Sequence, residues 1–279
     1  MIVFAADAFV EHYVGGAELT TQALIESALY PSARAVTGHT NVDLMKDMKN
    51  SFWIFGNFAN LSDECLMYAI KNLNYSVLEY DYKYCVHRSP EKHAIAEGSC
   101  SCKDSSRGKL VALFLKYAKT NWWMSEQQKK VYQEQYPFLE GKVLSSVFSE
   151  NKLDLMNVLY TDEKDDTWLI LNSQSWIKGV GEAVDYAKAN NLKYELVWGL
   201  EYKDLLKKMA KSKGLIFFPK AGDTCPRMVI EAKLLGCELI LNDNVQHKDE
   251  EWFKTRKSCM QYMRERTDVF WAQLDDGQK

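Results

Sequence analysis

Short runs of β-branched and aromatic residues alternate with amphipathic stretches along almost the whole chain. Runs at residues 2–6, 34–37, 52–55, 76–80, 122–124 and 143–147 have the length and composition of strands. Between them, apolar positions recur at helical spacing over residues 17–28, 62–72, 109–118 and 126–135. Strand, helix and strand in succession predict a parallel sheet with crossover helices, hence an α/β domain. Residues 161–166, Thr-Asp-Glu-Lys-Asp-Asp, then carry five charges in six positions and no apolar side chain, and read as a linker. The alternation resumes with strands at 168–171, 194–198, 215–218 and 238–241 and helices at 179–189, 205–211 and 228–235, which predicts a second, smaller α/β domain. Residues 250–274 are helical in pattern and carry Trp252, Phe253, Tyr262, Phe270 and Trp271, so this tail needs a surface to pack on. The expected organisation is a first domain at 1–160, joined by a C-terminal helix at 262–279 that crosses back to it, and a second at 161–261.

A length of 279 residues and a net charge of −3 suit a globular protein of two ordinary domains with no general attraction for nucleic acid or acidic membranes. No apolar run approaches the roughly 20 residues of a membrane span, and Met1 to Ala6 passes straight into Asp7 without a basic flank, so it reads as a strand and not as a signal peptide. Seven cysteines are an odd number in a chain too large to need disulfide staples, which points to reduced thiols and a cytoplasmic protein. Cys85, Cys100 and Cys102, interleaved with His87 and His93, are the one group that suggests a metal. They lack the paired Cys-x2-Cys knuckles of zinc sites, so they read as solvated loop residues and no metal is expected. The segment 82–107 that holds them is long for a connection in a compact domain, which suggests a functional or mobile loop.

Two segments carry candidate chemistry. After the first strand, Gly15-Gly16-Ala17-Glu18 opens a helix. Two glycines permit close backbone approach, and the free N–H groups of a first helical turn favour an anion such as a diphosphate. A tight strand-to-helix turn with Glu18 complementing the helix dipole explains the same residues equally well. The segment is not the Gly-x-Gly-x-x-Gly fingerprint, which argues against a nicotinamide enzyme. The second segment runs from Pro219 through Asp223-Thr224-Cys225-Pro226-Arg227 to Glu231. Pro226 suits a first helical turn that Asp223 or Thr224 could cap, and Glu231 lies about two turns further on. Two carboxylates at a strand end can accept hydrogen bonds from the hydroxyls of a sugar and a ribose. Capping by Asp223 and a surface ion pair for Glu231 is the simpler alternative, but the apolar neighbours Ile230 and Ala232 make a surface position awkward.

On these residues the chain resembles the group 1, family 4-like retaining glycosyltransferases, whose second domain carries an acidic-x7-acidic motif running into a Glu-Ala helix. Asp223, Glu231, Ala232 and Gly236-Cys237 match it in register, with Asp in place of the more usual first Glu. Asp7 with Gly15 and Gly16 is similar to the family's donor-phosphate loop, Ser125-Glu126 to its late first-domain step, Ile177-Lys178-Gly179 to its Lys-Gly helix start, and Asp81-Tyr82-Lys83 to an acceptor-side segment. Tyr80 stands where the family often has histidine, Asn172-Ser173 replace a frequent Gly-Arg, and the chain is shorter than most members.

The resemblance implies a GT-B fold, two Rossmann-like domains facing each other across a cleft, and retaining transfer of a hexose without a metal or any cofactor beyond a UDP-, GDP- or ADP-sugar co-substrate. Lys178, Asp223 and Glu231 would be its catalytic residues. Gly15, Gly16, Thr224, Cys225, Pro226 and Arg227 would complete the donor site, with Asp7, Asp81 and Lys83 on the acceptor side. The implied partner is a glycan or glycolipid, with peripheral membrane contact as an option and nucleic acid disfavoured by the charge. A degenerate GT-B binding module, a phage-type enzyme acting on modified DNA bases, and a sugar-nucleotide epimerase using His247 are the alternatives.

Overall fold

The computed structural model describes residues 1–276; residues 277–279 of the expected C-terminal helix lie outside the described residues. The chain divides into two compact units, the first made of residues 1–147 with 266 onward, the second of residues 148–265. The acidic stretch 161–166 lies inside the second unit.

The first unit is a six-stranded parallel sheet of β1 (Ile2–Ala6), β2 (Ser32–Val36), β3 (Phe52–Phe55), β4 (Asn74–Glu79), β5 (Asn121–Trp123) and β6 (Lys142–Val143). Its order is β2-β1-β3-β4-β5-β6, so the direction of winding reverses between β1 and β3. Its helices are α1 (Gly16–Glu26), α2 (Val42–Asp47), α3 (Asp63–Asn72), α4 (Pro90–Glu97), α5 (Ser106–Tyr117) and α6 (Glu126–Gln135). Helices α2 to α6 begin at Asn41, Ser62, Ser89, Ser105 and Ser125, whose side-chain oxygens each accept a backbone N–H of the first turn. Such a cap is worth about 1 kcal/mol and fixes where the helix starts. Helix α1 differs: Gly15 occupies its cap position and supplies no side chain.

Successive strand residues point to opposite faces. On one face Val3, Ala5, Trp53 and Phe55 join Phe58, Tyr75 and Phe114 in an aromatic core, where Tyr75 stacks on Phe114 at 4.6 Å and Phe55 meets it edge-on at 5.1 Å. On the other, Phe4 and Trp122 meet Trp271 and Phe270. Two expectations change. The strand expected at 143–147 stops at Val143, which pairs with Trp123, because Ser145 adopts φ +68° and turns the chain out of the ladder although Leu144 and Val147 are fully buried. Segment 82–107 is not a plain loop either, because it contains α4 and a 3-10 turn at Cys102–Asp104.

The second unit is a four-stranded parallel sheet of β7 (Trp168–Leu171), β8 (Tyr194–Val197), β9 (Gly214–Phe217) and β10 (Glu238–Leu241), in the order β10-β9-β7-β8. Winding reverses between β7 and β9. Helices α7 (Glu150–Leu159), α8 (Val180–Ala189), α9 (Tyr202–Lys211) and α10 (Arg227–Leu234) cover it. Trp168, Ile170, Ala183, Ala187 and Ile216 form a small core under α8. The last helix, α11 (Arg256–Asp276), follows a 3-10 turn at Glu251–Phe253, and its residues from Arg266 on belong to the first unit. Among the described residues no helix is long and apolar enough to cross a membrane.

Candidate functional site

Open parallel sheets bind ligands beyond the carboxyl ends of their strands, at the point where winding reverses. In the second unit that point lies beyond β7 and β9, and the segments following these two strands meet there. The N–H of Lys220 donates to the carbonyl of Ile177 at 2.8 Å, which ties the β9 exit to the β7 exit. Gly179 follows with φ +59°, and a Cβ there would lie 1.7 Å from the carbonyl oxygen of Phe218. Only glycine fits, and its left-handed turn directs the chain from Lys178 into α8.

The two segments bring Lys178 and Asp223 together, with Nζ 2.5 Å from Oδ2. Both side chains are partly exposed, so the pair can exchange partners with a ligand. The backbone around Asp223 is fixed on its other side: its N–H donates to the Asn244 carbonyl at 2.8 Å, and its carbonyl accepts the Gln246 N–H at 3.1 Å. The side-chain amides of Asn242 and Asn244 both donate to the Pro219 carbonyl, at 2.9 and 2.7 Å. Nearby, Lys220 pairs with Glu182 at 2.9 Å.

The helix start departs from the expectation. Pro226 itself stands at the cap position of α10, so Asp223 is not its cap and pairs with Lys178 instead. Thr224 and Cys225 are buried between them. Glu231 is buried too, which rules out a surface ion pair, and its Oε1 accepts the Tyr202 hydroxyl at 3.0 Å and lies 4.0 Å from Nε of Arg227. Burial raises the Glu231 carboxyl above its ordinary range against the opposing pull of Arg227 and the Tyr202 hydroxyl. Burial likewise lowers the Arg227 guanidinium, which lies over the Phe148 ring at 3.7 Å. Tyr202, which opens α9, escaped the sequence reading: that reading starts the helix at 205, and no local pattern ties this tyrosine to a carboxylate 29 residues away.

His247 is a loop histidine, in the turns that follow β10. It is fully buried between Trp252 and Phe253, with ring centroids at 5.4 and 4.6 Å, and neither ring nitrogen has a hydrogen-bond partner. Burial pushes its pKa down to about 3, so it stays neutral and offers no proton shuttle at neutral pH.

In the first unit, Asp7 leaves β1 at the winding reversal. Its carboxylate accepts the N–H groups of Ala59 and Asn60, each at 3.0 Å, and the hydroxyl of Thr37. These bonds lock the β1 exit to the loop after β3. Gly15 and Gly16 open α1 without a side-chain cap, and Glu18, buried in its first turn, is raised by burial while Asn57 donates to it at 3.4 Å. Beyond β4, Lys83 is buried and bridges Glu79 at 3.2 Å and Asp81 at 3.1 Å. Lys83 is therefore an internal cation, closed off from solvent. Arg88 donates to Asp81 and, at 2.8 Å, to Asn57. Burial opposes the charge on Asp81, but Lys83 and Arg88 outweigh it and hold its carboxyl below the ordinary range. Ser125 caps α6 through the Gln128 N–H at 3.1 Å.

No family model matches the sequence, and no curated protein does. Solved structures match in fold. The crystal structure of the GtfA/B complex superposes with a TM-score of 0.55 at 10% identity over 83% of this chain, which spans 58% of that one. WaaG, a glycosyltransferase involved in lipopolysaccharide biosynthesis, gives 0.53 at 11% identity over 100% of this chain and 93% of its own. An alpha-glucosyltransferase in complex with UDP and a 13-mer DNA containing an HMU base gives 0.51 at 9% identity over 100% and 99%. The likeness is one of fold: two parallel-sheet, Rossmann-like units in the architecture of the GT-B glycosyltransferases.

Proposed function

We propose that the chain is a retaining glycosyltransferase that takes a hexose from a UDP-, GDP- or ADP-sugar, with Lys178 and Asp223 at the heart of its donor site. The observation that carries this reading is their pairing at 2.5 Å beyond the switch point of the second unit's sheet, in a fold shared with a UDP-bound glucosyltransferase. Departure of a nucleoside diphosphate builds negative charge on the leaving oxygen. A preorganised ammonium lowers that barrier, typically by about 3–4 kcal/mol for one lost donor. In the resting pair Asp223 holds Lys178 in place. When the diphosphate takes the ammonium, the Asp223 carboxylate is released to accept hydroxyls of the donor sugar. Thr224, Cys225, Pro226 and Arg227 shape the wall between Asp223 and Glu231, and Glu231 grips the ribose hydroxyls. On the first unit, Gly15 and Gly16 open a helix whose free N–H groups favour an anion, and Asp7 and Asp81 order the acceptor side. Transfer needs no metal in the reaction, because the cations come from the chain.

The acceptor proposed first is a glycan or glycolipid. A modified base in DNA is the second reading, favoured by full-length agreement with the DNA-bound glucosyltransferase and opposed by the net charge of −3. It predicts association with duplex DNA that weakens steeply with salt.

The test is a thermal-shift screen of UDP-, GDP- and ADP-sugars followed by donor hydrolysis. One nucleotide class is expected to raise the melting temperature and to be hydrolysed, and Lys178→Ala is expected to remove both effects while retaining the native circular dichroism. A folded wild-type chain that neither shifts nor turns over any of the three classes would sink the proposal.

A further inference from the structure

Helix α4 poses a physical problem. It is eight residues long, too short to persist on its own in water, and His93 is its one buried residue. An ordinary helix of this kind docks through an apolar stripe. Here Ile95, the helix's largest apolar residue, is 66% exposed. The buried ring of His93 faces three thiols instead. Its Nδ1 lies 3.5 Å from Sγ of Cys85 and 3.2 Å from Sγ of Cys102, and Sγ of Cys100 lies 3.7 Å from Sγ of Cys85. All four donor atoms fall within 4.8 Å of one another.

We propose that Cys85, His93, Cys100 and Cys102 form a structural zinc site that fastens α4 and segment 82–107 to the first unit. Zinc–sulfur bonds of about 2.3 Å and zinc–nitrogen bonds of about 2.0–2.1 Å in a tetrahedron place sulfurs about 3.8 Å apart and sulfur from nitrogen about 3.6 Å apart. The distances of 3.7, 3.5 and 3.2 Å are close to those edges. The cysteines are free thiols, and 3.7 Å is far from a disulfide bond of about 2.0 Å.

The surroundings are those of a metal centre. Nε2 of His93 is held by the Glu97 carboxylate at 2.9 Å, which fixes the ring with Nδ1 turned to the sulfurs. His87 contacts the His93 ring, with centroids 4.8 Å apart, and binds the other oxygen of Glu97 at 3.2 Å. On binding, the three thiols release three protons to solvent, and Zn²⁺ with three thiolates and one neutral imidazole leaves a centre of charge −1. Four protein donors close the coordination sphere, so the ion holds structure and leaves no position for substrate.

The sequence points to this group without marking it as a zinc site, because Cys85, His93, Cys100 and Cys102 come from a turn, a helix and the segment after it, with no two cysteines at knuckle spacing. The turn is built by the Cys85 N–H donating to Tyr82 and the Arg88 N–H to Cys85, both at 2.9 Å, with Arg88 at φ +57°.

The experiment measures metal in the full-length chain purified under reducing conditions with zinc supplied. Mass spectrometry is expected to find one zinc per chain, and cobalt exchange to give the intense visible bands and thiolate charge transfer of tetrahedral sulfur-rich Co²⁺. Cys100→Ser, at the half-exposed ligand, is expected to lose the metal while keeping native circular dichroism. Glu97→Ala, a positioning change outside the ligand set, is expected to weaken zinc by about 10–100-fold. Zinc removal is expected to speed proteolysis within 85–107. A folded wild-type chain without zinc and without the tetrahedral cobalt spectrum would overturn the site. So would full zinc retention in Cys100→Ser, or a disulfide mapped between Cys85 and Cys100.

Discussion

Two side chains in the second unit show how burial decides what a residue can do. Glu231 shares Oε1 with the Tyr202 hydroxyl at 3.0 Å. Replacing Tyr202 by Phe removes one hydrogen bond and leaves the carboxylate in place, so a stability loss of about 1 kcal/mol in urea unfolding is expected. If Glu231 also grips a ribose, the same change raises the KM for the nucleotide sugar and leaves kcat nearly unchanged; an unaltered KM would assign Glu231 to packing alone. His247 gives a pH prediction. Its folded pKa, about 3, lies below the ordinary value of 6.5, so between these limits the unfolded chain binds a proton that the folded chain does not. Its contribution to stability is therefore complete above about pH 6.5 and is lost as pH falls toward 3, at up to about 1.4 kcal/mol per pH unit. His247→Phe keeps the aromatic stack and abolishes that share of the slope, read as the difference between the two unfolding curves. Parallel slopes for the two proteins would contradict it.

At the scale of elements, two glycines three residues or fewer from Lys178 separate backbone necessity from mere preference. Gly179→Ala forces a Cβ to 1.7 Å from the Phe218 carbonyl oxygen at φ +59°, so it is expected to cost more than 1 kcal/mol, on the order of 2, and to displace Lys178. Gly181→Ala, with open space around its Cβ and a place in the first turns of α8, is expected to be neutral or to stabilise by about 0.5–1 kcal/mol. Equal effects from the two changes, measured by thermal unfolding, would refute the argument. The Lys-Gly step was legible because Lys178 and Gly179 are adjacent in the chain and directly precede the apolar period of α8. The strand expected at 143–147 stops short because apolar composition marks burial and not pairing: Leu144 and Val147 are buried, but Ser145 leaves the ladder. Helix α4 was illegible for a related reason, since its lone buried residue is a histidine and it presents no apolar period.

The whole molecule adds a constraint that no single element carries. The first unit is assembled from residues 1–147 and from the end of α11, so its sheet face bearing Phe4 and Trp122 is completed by residues that lie beyond the entire second unit in the chain. The sequence reading gave this return as one solution for the tail, because Trp252, Phe253, Tyr262, Phe270 and Trp271 need a surface to pack on. What it could not supply was the partner, since contacts between residues 122 and 270 leave no local pattern. Phe270 is fully buried against Trp122, with ring centroids 5.2 Å apart, and Trp271 donates its indole N–H to Ser27 at 3.0 Å. Truncating Phe270 to Ala opens a cavity in the first unit and is expected to cost about 3–5 kcal/mol. Phe253→Ala removes an equally buried ring from the second unit. Calorimetry of the two variants then reports whether the units unfold together: a common shift of one transition means a single cooperative molecule, and separate shifts mean two. A loss below 1 kcal/mol in Phe270→Ala would show that the returning helix is not what completes the first unit.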